Sequence, residues 1–192
     1  MQAIDGNGAR ATESAPDVLV MDGPVDESDH AAEPSGQAAW LKMTVEEVQQ
    51  LIRAHRRVLF DADFVPPPGI LNDTVAHFTD ASIGMVQTRW EHLNRDDPLL
   101  TELQAMSLDG HFIVEQTAKS RAGRWFNFNG TAGVWRRACI DEAGGWHGDT
   151  ITEDTDLSYR AQLAGWRFRF LANVTCPAEL PPTMGALISQ QH

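Results

Sequence analysis

Two aspartates one residue apart, Asp61 and Asp63, follow the apolar run Val58-Leu59-Phe60 and precede Phe64-Val65-Pro66-Pro67-Pro68. A strand ending on paired carboxylates delivers hard oxygen ligands into the crevice where α/β sheets bind their ligands. Such oxygens suit Mg2+ or Mn2+ holding a diphosphate. Alone the pattern is common: among 16 aspartates in 192 residues, chance supplies about one Asp-x-Asp, and Asp154-x-Asp156 is a second. Asp154 lies in Thr152-Glu153-Asp154. Its carboxylate could take a proton from a hydroxyl as a general base, or could cap the following helix, with Glu153 or Asp156 as alternative caps. Asn129-Gly130-Thr131-Ala132-Gly133 is a run of small residues after an aromatic segment. Small side chains let a backbone approach a ligand closely, and an ordinary turn reads the same way. Gln87-Thr88-Arg89-Trp90 sets a guanidinium beside an indole, able to meet phosphate or sugar or simply to pack. The seven histidines have no metal-ligand spacing, and none is assigned.

The elements that must carry these residues alternate in type. Thr44-Val45-Glu46-Glu47 is a capping box opening a helix with Val45, Val48, Leu51 and Ile52 on one face, ending near Arg56-Arg57. Val58–Phe60 reads as a short buried strand, and Pro66-Pro67-Pro68 forces a loop. An amphipathic helix then carries Ile70, Leu71, Val75 and Phe78, and Ile83–Val86 is a second strand running into Gln87–Trp90. A longer helix from about Leu99 to Thr117 sets Leu99, Leu103 and Met106 on one face. Thr155 to Ala164 reads as a helix closed by Gly165. Trp166, Phe168 and Phe170 alternate with arginines, which one buried sheet face requires; a sugar-stacking row is the other reading. The alternation predicts an α/β fold with a mostly parallel sheet flanked by helices.

Composition narrows the function classes. The net charge is −12, and residues 1–40 hold eight acids against Arg10 alone. That acidic, Ala/Gly/Ser/Pro-rich start buries too little to fold by itself, so 1–40 is expected to be disordered or degenerate and 41–192 to form the domain. No basic stripe exists for nucleic acid. Cys139 and Cys176 form no framework, and Cys139 reads as a small core residue. Without a signal-peptide pattern or an apolar run of roughly 18 residues, the chain is expected to be soluble and cytoplasmic.

Four further phrases sharpen the picture: Phe126-Asn127-Phe128-Asn129-Gly130-Thr131-Ala132-Gly133-Val134-Trp135-Arg136-Arg137, then Gly144-Gly145-Trp146, then Thr152-Glu153-Asp154, then Gln190-Gln191-His192. In this order they resemble the catalytic half of processive family 2 glycosyltransferases, the cellulose-synthase-like enzymes that make β-mannan or β-glucan. The resemblance spans residues 58–192. It implies a partial glycosyltransferase A-type fold (the nucleotide-diphospho-sugar transferase fold). It implies an inverting transfer of mannose or glucose from GDP-mannose or UDP-glucose to a growing β-glycan. Asp154 is then the base, and Asp61 and Asp63 hold Mg2+ or Mn2+ with the diphosphate. Asn129, Gly130, Thr131, Trp146, Glu153, Gln190 and Gln191 line the donor and acceptor pocket, with Asp22, Arg89 and Trp90 as lesser candidates. The family continues Gln-Gln-His with Arg-Trp and begins with nucleotide-binding strands and a Lys-Ala-Gly segment that this chain lacks. Its full-length members sit at the cytoplasmic face of a membrane through helices absent here. The chain by itself is therefore expected to make little or no polymer. A catalytically incompetent or carbohydrate-binding remnant is the alternative. A metal-dependent phosphoesterase is a third reading, though it has no reason to keep Thr-Glu-Asp and Gln-Gln-His.

Overall fold

The computed structural model describes residues 55–95, 98–150 and 152–190. The body of the helix expected from Thr44, the acidic segment 1–40 with Asp22, and the pair Gln191 and His192 lie outside the described residues. Arg56 and Arg57, expected at the end of that helix, belong instead to the first strand, β1 (Arg56–Leu59).

Four strands form one sheet in the order β1-β3-β2-β4. β2 (Ile83–His92) and β4 (Arg167–Ala178) run parallel, with Val86 opposite Arg169. β3 (Gly133–Arg136) lies antiparallel to both neighbours, setting Leu59 opposite Gly133 and Val86 opposite Val134. The α/β class stands, but the described sheet is mixed rather than mostly parallel. The cause is local: the chain reaches β3 from the loop at the C-terminal ends of β1 and β2, so β3 must run back between them. Gly133 is required there. A Cβ on it would stand 2.5 Å from the Phe128 ring and 2.9 Å from the Val86 carbonyl oxygen.

Helix α1 (Ile70–Val75) and a 3-10 turn (Ala76–Thr79) bury Ile70, Val75 and Phe78, as the spacing predicts. The expected long helix from Leu99 differs in form. It is α2 (Leu99–Asp109), a π-helical stretch (Gly110–Gln116) and α3 (Thr117–Arg121). Its inward face also differs, since Leu99, Leu103 and Met106 are exposed while Thr101, Ala105, Phe112 and Gln116 are buried. Small residues let α2 lie close to its neighbours, and the wider π turn brings in the one large ring. Among the described residues no helix is long and apolar enough to cross a membrane.

After β3 come α4 (Arg137–Glu142), α5 (Glu153–Leu163), β4 and α6 (Met184–Gln190). Helix α5 ends as expected on left-handed Gly165 (φ +99°). The Gly165 and Trp166 amides donate back to the Gln162 and Ala161 carbonyls, each at 3.1 Å. The Trp166–Phe170 row is core rather than sugar platform: Phe168 meets Trp135 edge-on at 5.2 Å, and Phe170 stacks on Phe112 at 6.1 Å. Cys139 and Cys176 are both fully buried, and burial pushes each thiol up to about 12, so both are inert packing.

Candidate active site

The chain turns sharply as it leaves β1. The Phe64 amide donates to the Asp61 carbonyl at 3.0 Å, which sets both aspartates on one tight turn. Phe64 anchors that turn. Its ring is buried with Ile70, Ala132, Cys176 and Ala178, and it meets Trp90 edge-on at 5.2 Å. The Asp61 amide donates to Thr131 Oγ1 at 2.7 Å. That bond ties the carboxylate pair to the small-residue loop, across seventy residues of sequence.

The loop is held by buried side chains standing in for a sheet. Gln87, fully buried on β2, accepts from the Asn129 amide at 3.2 Å. Its Nε2 donates to the carbonyls of Thr88, Thr131 and Ala132. Thr88 adds its amide and its hydroxyl to the same Ala132 carbonyl, at 3.0 and 2.7 Å. Ala132 has φ +55°, a left-handed conformation that costs a residue with a Cβ roughly 1–3 kcal/mol. Three donors on its carbonyl over-determine that strained geometry. On the other flank, Ser158 and Gln162 of α5 hydrogen-bond the Phe128 amide and both backbone groups of Phe126. Loop and helix are thus joined before any ligand arrives.

Asp154 stands on the first turn of α5. Its Oδ1 accepts from the Thr155 amide at 2.6 Å, while its Oδ2 faces Gly130, 3.7 Å from where a Cβ would be. Gly130 has φ +79°, so a glycine suits both its conformation and its closeness to the carboxylate. No side chain caps α5 at Thr152. Of the alternative caps, Asp156 is drawn off to Arg160 at 2.7 Å.

The charges converge on Asp61. Burial, first, and then the charges of Asp63, Asp154 and Glu153 hold its carboxyl above the ordinary carboxylate range. Asp154 is also raised, chiefly by burial, against the pull of the Thr155 amide. Three other carboxylates thus act on Asp61, a charge pattern that a cation would neutralise. Among the described residues no group of three or more His, Cys, Asp or Glu could hold a metal by itself. Asp61 and Asp63 fit a divalent ion that shares its coordination sphere with phosphate oxygens.

The remaining candidates fall around this centre. Asp63, Trp90 and Gln190 line one open cavity of about 360 Å³ with His92, Gln104 and Leu108. Trp90 mainly packs, on Phe64 and on Phe112 at 5.1 Å, although its Nε1 is buried without a partner. Arg89 likewise buries an Nε that has none. Trp146 is partly exposed and meets Phe128 and Trp135 edge-on, at 6.4 and 6.0 Å. The Asn129 side-chain oxygen faces His111 Nε2 at 3.2 Å. Sequence reasoning passed over Gln87, Ser158 and Gln162 as site-building residues. Their only signal was a polar type at helix or strand positions that turn inward.

A family model described as glycosyltransferase like family 2 matches residues 29–192. The chain belongs to this family. It is 50% identical over 135 residues to the rice (Oryza sativa subsp. japonica) protein named "Probable glucomannan 4-beta-mannosyltransferase 6", covering 70% of this chain and 24% of that protein. It is 48% identical over 136 residues to glucomannan 4-beta-mannosyltransferase 2 of Arabidopsis thaliana, covering 70% of this chain and 26% of the relative. The chain thus spans about a quarter of the length of these relatives. A mannosyltransferase from Pyrobaculum calidifontis, solved with GDP-Man and Mn2+, superposes at a TM-score of 0.50 and 20% identity. The match covers 74% of this chain and 38% of that one, and it shows a shared fold. The family 2 assignment and that fold agree with a partial glycosyltransferase A-type domain.

In this family 2 domain the raised Asp61 gives a signed expectation. A carboxyl whose folded pKa lies above its unfolded value destabilises the fold once ionised, so metal-free stability falls as pH rises from about 3.8 through the raised value. Asp61→Asn is therefore expected to leave the metal-free Tm at neutral pH unchanged or higher, and to remove whatever rise Mn2+ gives the wild type if Asp61 is a metal ligand. Thermal melts with and without Mn2+ check this. A metal-free loss of more than about 5 °C would mean the Asp61 carboxylate itself supports the turn.

Proposed function

We propose that this chain is the metal-binding and base-carrying part of an inverting hexosyltransferase. It would transfer mannose from GDP-mannose, or glucose from UDP-glucose, to the end of a β-glycan. The observation that carries the reading is convergence. One oxygen of Asp154 faces the Gly130 loop, and the charge of Asp154 reaches Asp61, whose amide is bonded to Thr131 of that same loop. Among donors GDP-mannose is favoured. The relatives are named for mannosyl transfer to glucomannan, and the solved neighbour carries GDP-Man with Mn2+.

In this reading Asp154 accepts the proton of the acceptor hydroxyl as that oxygen attacks the anomeric carbon. The new C–O bond forms as the bond to the diphosphate breaks on the opposite face, which inverts the centre. Burial holds Asp154 at raised basicity, and the Thr155 amide fixes its second oxygen. Asp61 and Asp63 would hold Mg2+ or Mn2+, which supplies charge neutralisation to the leaving diphosphate. Asn129, Gly130 and Thr131 form the pocket floor, Glu153 adds its charge at the base, Trp146 offers an indole face to a sugar ring, and Gln190 lines the groove leading to Asp63. Arg89 and Trp90 support from beneath.

The test is a chimera in which this chain replaces the matching segment of a plant glucomannan mannosyltransferase, assayed with radiolabelled GDP-mannose and UDP-glucose. Metal-dependent β-linked mannan is the expected product. A chimera that folds and binds donor yet hydrolyses phosphate esters instead would overturn the reading.

A further inference from the structure

Arg160 has no part in the chemistry just described, yet its bonds join two pieces of the site. It lies on α5, the helix whose first turn bears Asp154. Its Nε and one terminal nitrogen hold Asp156, one turn back, at 2.9 and 2.7 Å. Its two terminal nitrogens also donate outward to the backbone carbonyls of Ala143 and Gly145, the latter at 3.0 Å.

Those carbonyls belong to an unusual connection. Helix α4 closes with the Gly144 and Gly145 amides donating to the Asp141 and Ile140 carbonyls, at 3.1 and 2.8 Å. Gly144 and Gly145 are both left-handed, at φ +91° and +90°. Two such glycines in a row form a joint with little stiffness of its own. Trp146 follows immediately, partly exposed, with its indole edge-on to Phe128 of the small-residue loop's approach and to Trp135. A planar fork that takes two carbonyls and is itself aimed by a carboxylate is a device for which lysine is no substitute.

We propose that Arg160 is a positioning residue: by clamping the Gly144-Gly145 joint to the helix of Asp154, it fixes the indole of Trp146 at the acceptor side of the site. The proposal rests on the reading of Trp146 as a sugar-contacting residue. The clamp can be tested apart from that reading. The Asp156–Arg160 pair alone would be an ordinary exposed helix pair of small worth. The two carbonyl bonds give it a reach that such a pair lacks.

The experiment uses the 192-residue chain with Arg160→Lys and Arg160→Gln. Each is made with and without Trp146→Phe, so that the fluorescence of Trp146 is obtained by difference. Acrylamide quenching of Trp146 is expected to rise about twofold or more in both variants as the joint opens locally, with the circular dichroism spectrum unchanged. Mannohexaose affinity is expected to fall about tenfold, the worth of one charge-assisted hydrogen bond, while Mn2+-GDP affinity stays within about twofold. Unchanged quenching in both variants overturns the clamp. So does an equal loss of mannohexaose and Mn2+-GDP binding, the mark of a general structural role. Quenching that rises in a chain whose wild type binds no mannohexaose would uphold the clamp and count against the acceptor role of Trp146.

Discussion

Mannosyl transfer by the chimera is expected to fall by about 10²–10⁴-fold when Asp154 becomes Asn, the range a positioned general base supplies. Donor affinity and metal affinity should stay near wild type. The amide keeps the shape of the carboxylate, and its oxygen can still accept from the Thr155 amide, as Oδ1 does at 2.6 Å. It cannot take the proton of an acceptor hydroxyl. Asp154→Glu is the informative companion. The longer side chain would push its carboxylate into the space beside Gly130, so a base of the right chemistry in the wrong place should also lose most activity. Steady-state rates on the chimera, with donor binding measured separately, check both. A loss of less than about tenfold in Asp154→Asn would remove Asp154 from the role of base.

The largest effect on stability is expected from Gln87→Leu. Leucine is of similar bulk and apolar, so it fills the site without leaving a large void. It strands the Asn129 amide and the Thr131 carbonyl, which Gln87 now serves. A stranded buried group costs about 1–3 kcal/mol and the part-buried Asn129 amide less than that, so the two together cost about 2–5 kcal/mol. At 2–4 °C per kcal/mol for a chain of this size, the Tm should fall by about 5–20 °C. Thr88→Val makes the contrast. The Ala132 carbonyl keeps the Thr88 amide at 3.0 Å after the hydroxyl is lost, so the drop should be smaller. Thermal melts of the two variants give the comparison. A drop in Gln87→Leu no larger than in Thr88→Val would mean that the loop is held by other contacts.

These two residues mark what could and could not be read from the sequence. The place of Asp154 on the first turn of a helix was legible because Thr152 and Glu153 form a phrase with it and acids are favoured at a helix start. The Asp61 turn was legible because an apolar strand and three prolines bracket it. Gln87 was passed over as a glutamine in a strand. What makes it central is that its side chain bonds the Asn129 amide and the Thr131 and Ala132 carbonyls, contacts that exist only once β3 has turned back beside β2. The same turn makes the sheet mixed, and no local periodicity encodes the direction of a four-residue strand. Helix α2 misled for a different reason. Leu99, Leu103 and Met106 share a face by spacing, but the face turned inward carries Thr101 and Ala105, because close approach selected for small size over apolarity. Nothing in the sequence singles out Arg160: its spacing marks only an i,i+4 partner in Asp156, and its second partners come from a different helix end.

The division of labour among the three aspartates is the centre of the account, and one calorimetric series on the 192-residue chain addresses it most directly. Mn2+ with GDP is titrated into wild type, Asp63→Asn and Asp154→Asn. Loss of an oxygen ligand at Asp63 should weaken Mn2+ and GDP binding together by at least about tenfold. Loss of the charge at Asp154, proposed to face the acceptor rather than either of these, should leave both within about twofold of wild type, or slightly altered through the relief of Asp61. Binding lost equally in both variants, or kept in both, would contradict the assignment of Asp61 and Asp63 to the metal-diphosphate and Asp154 to the acceptor proton.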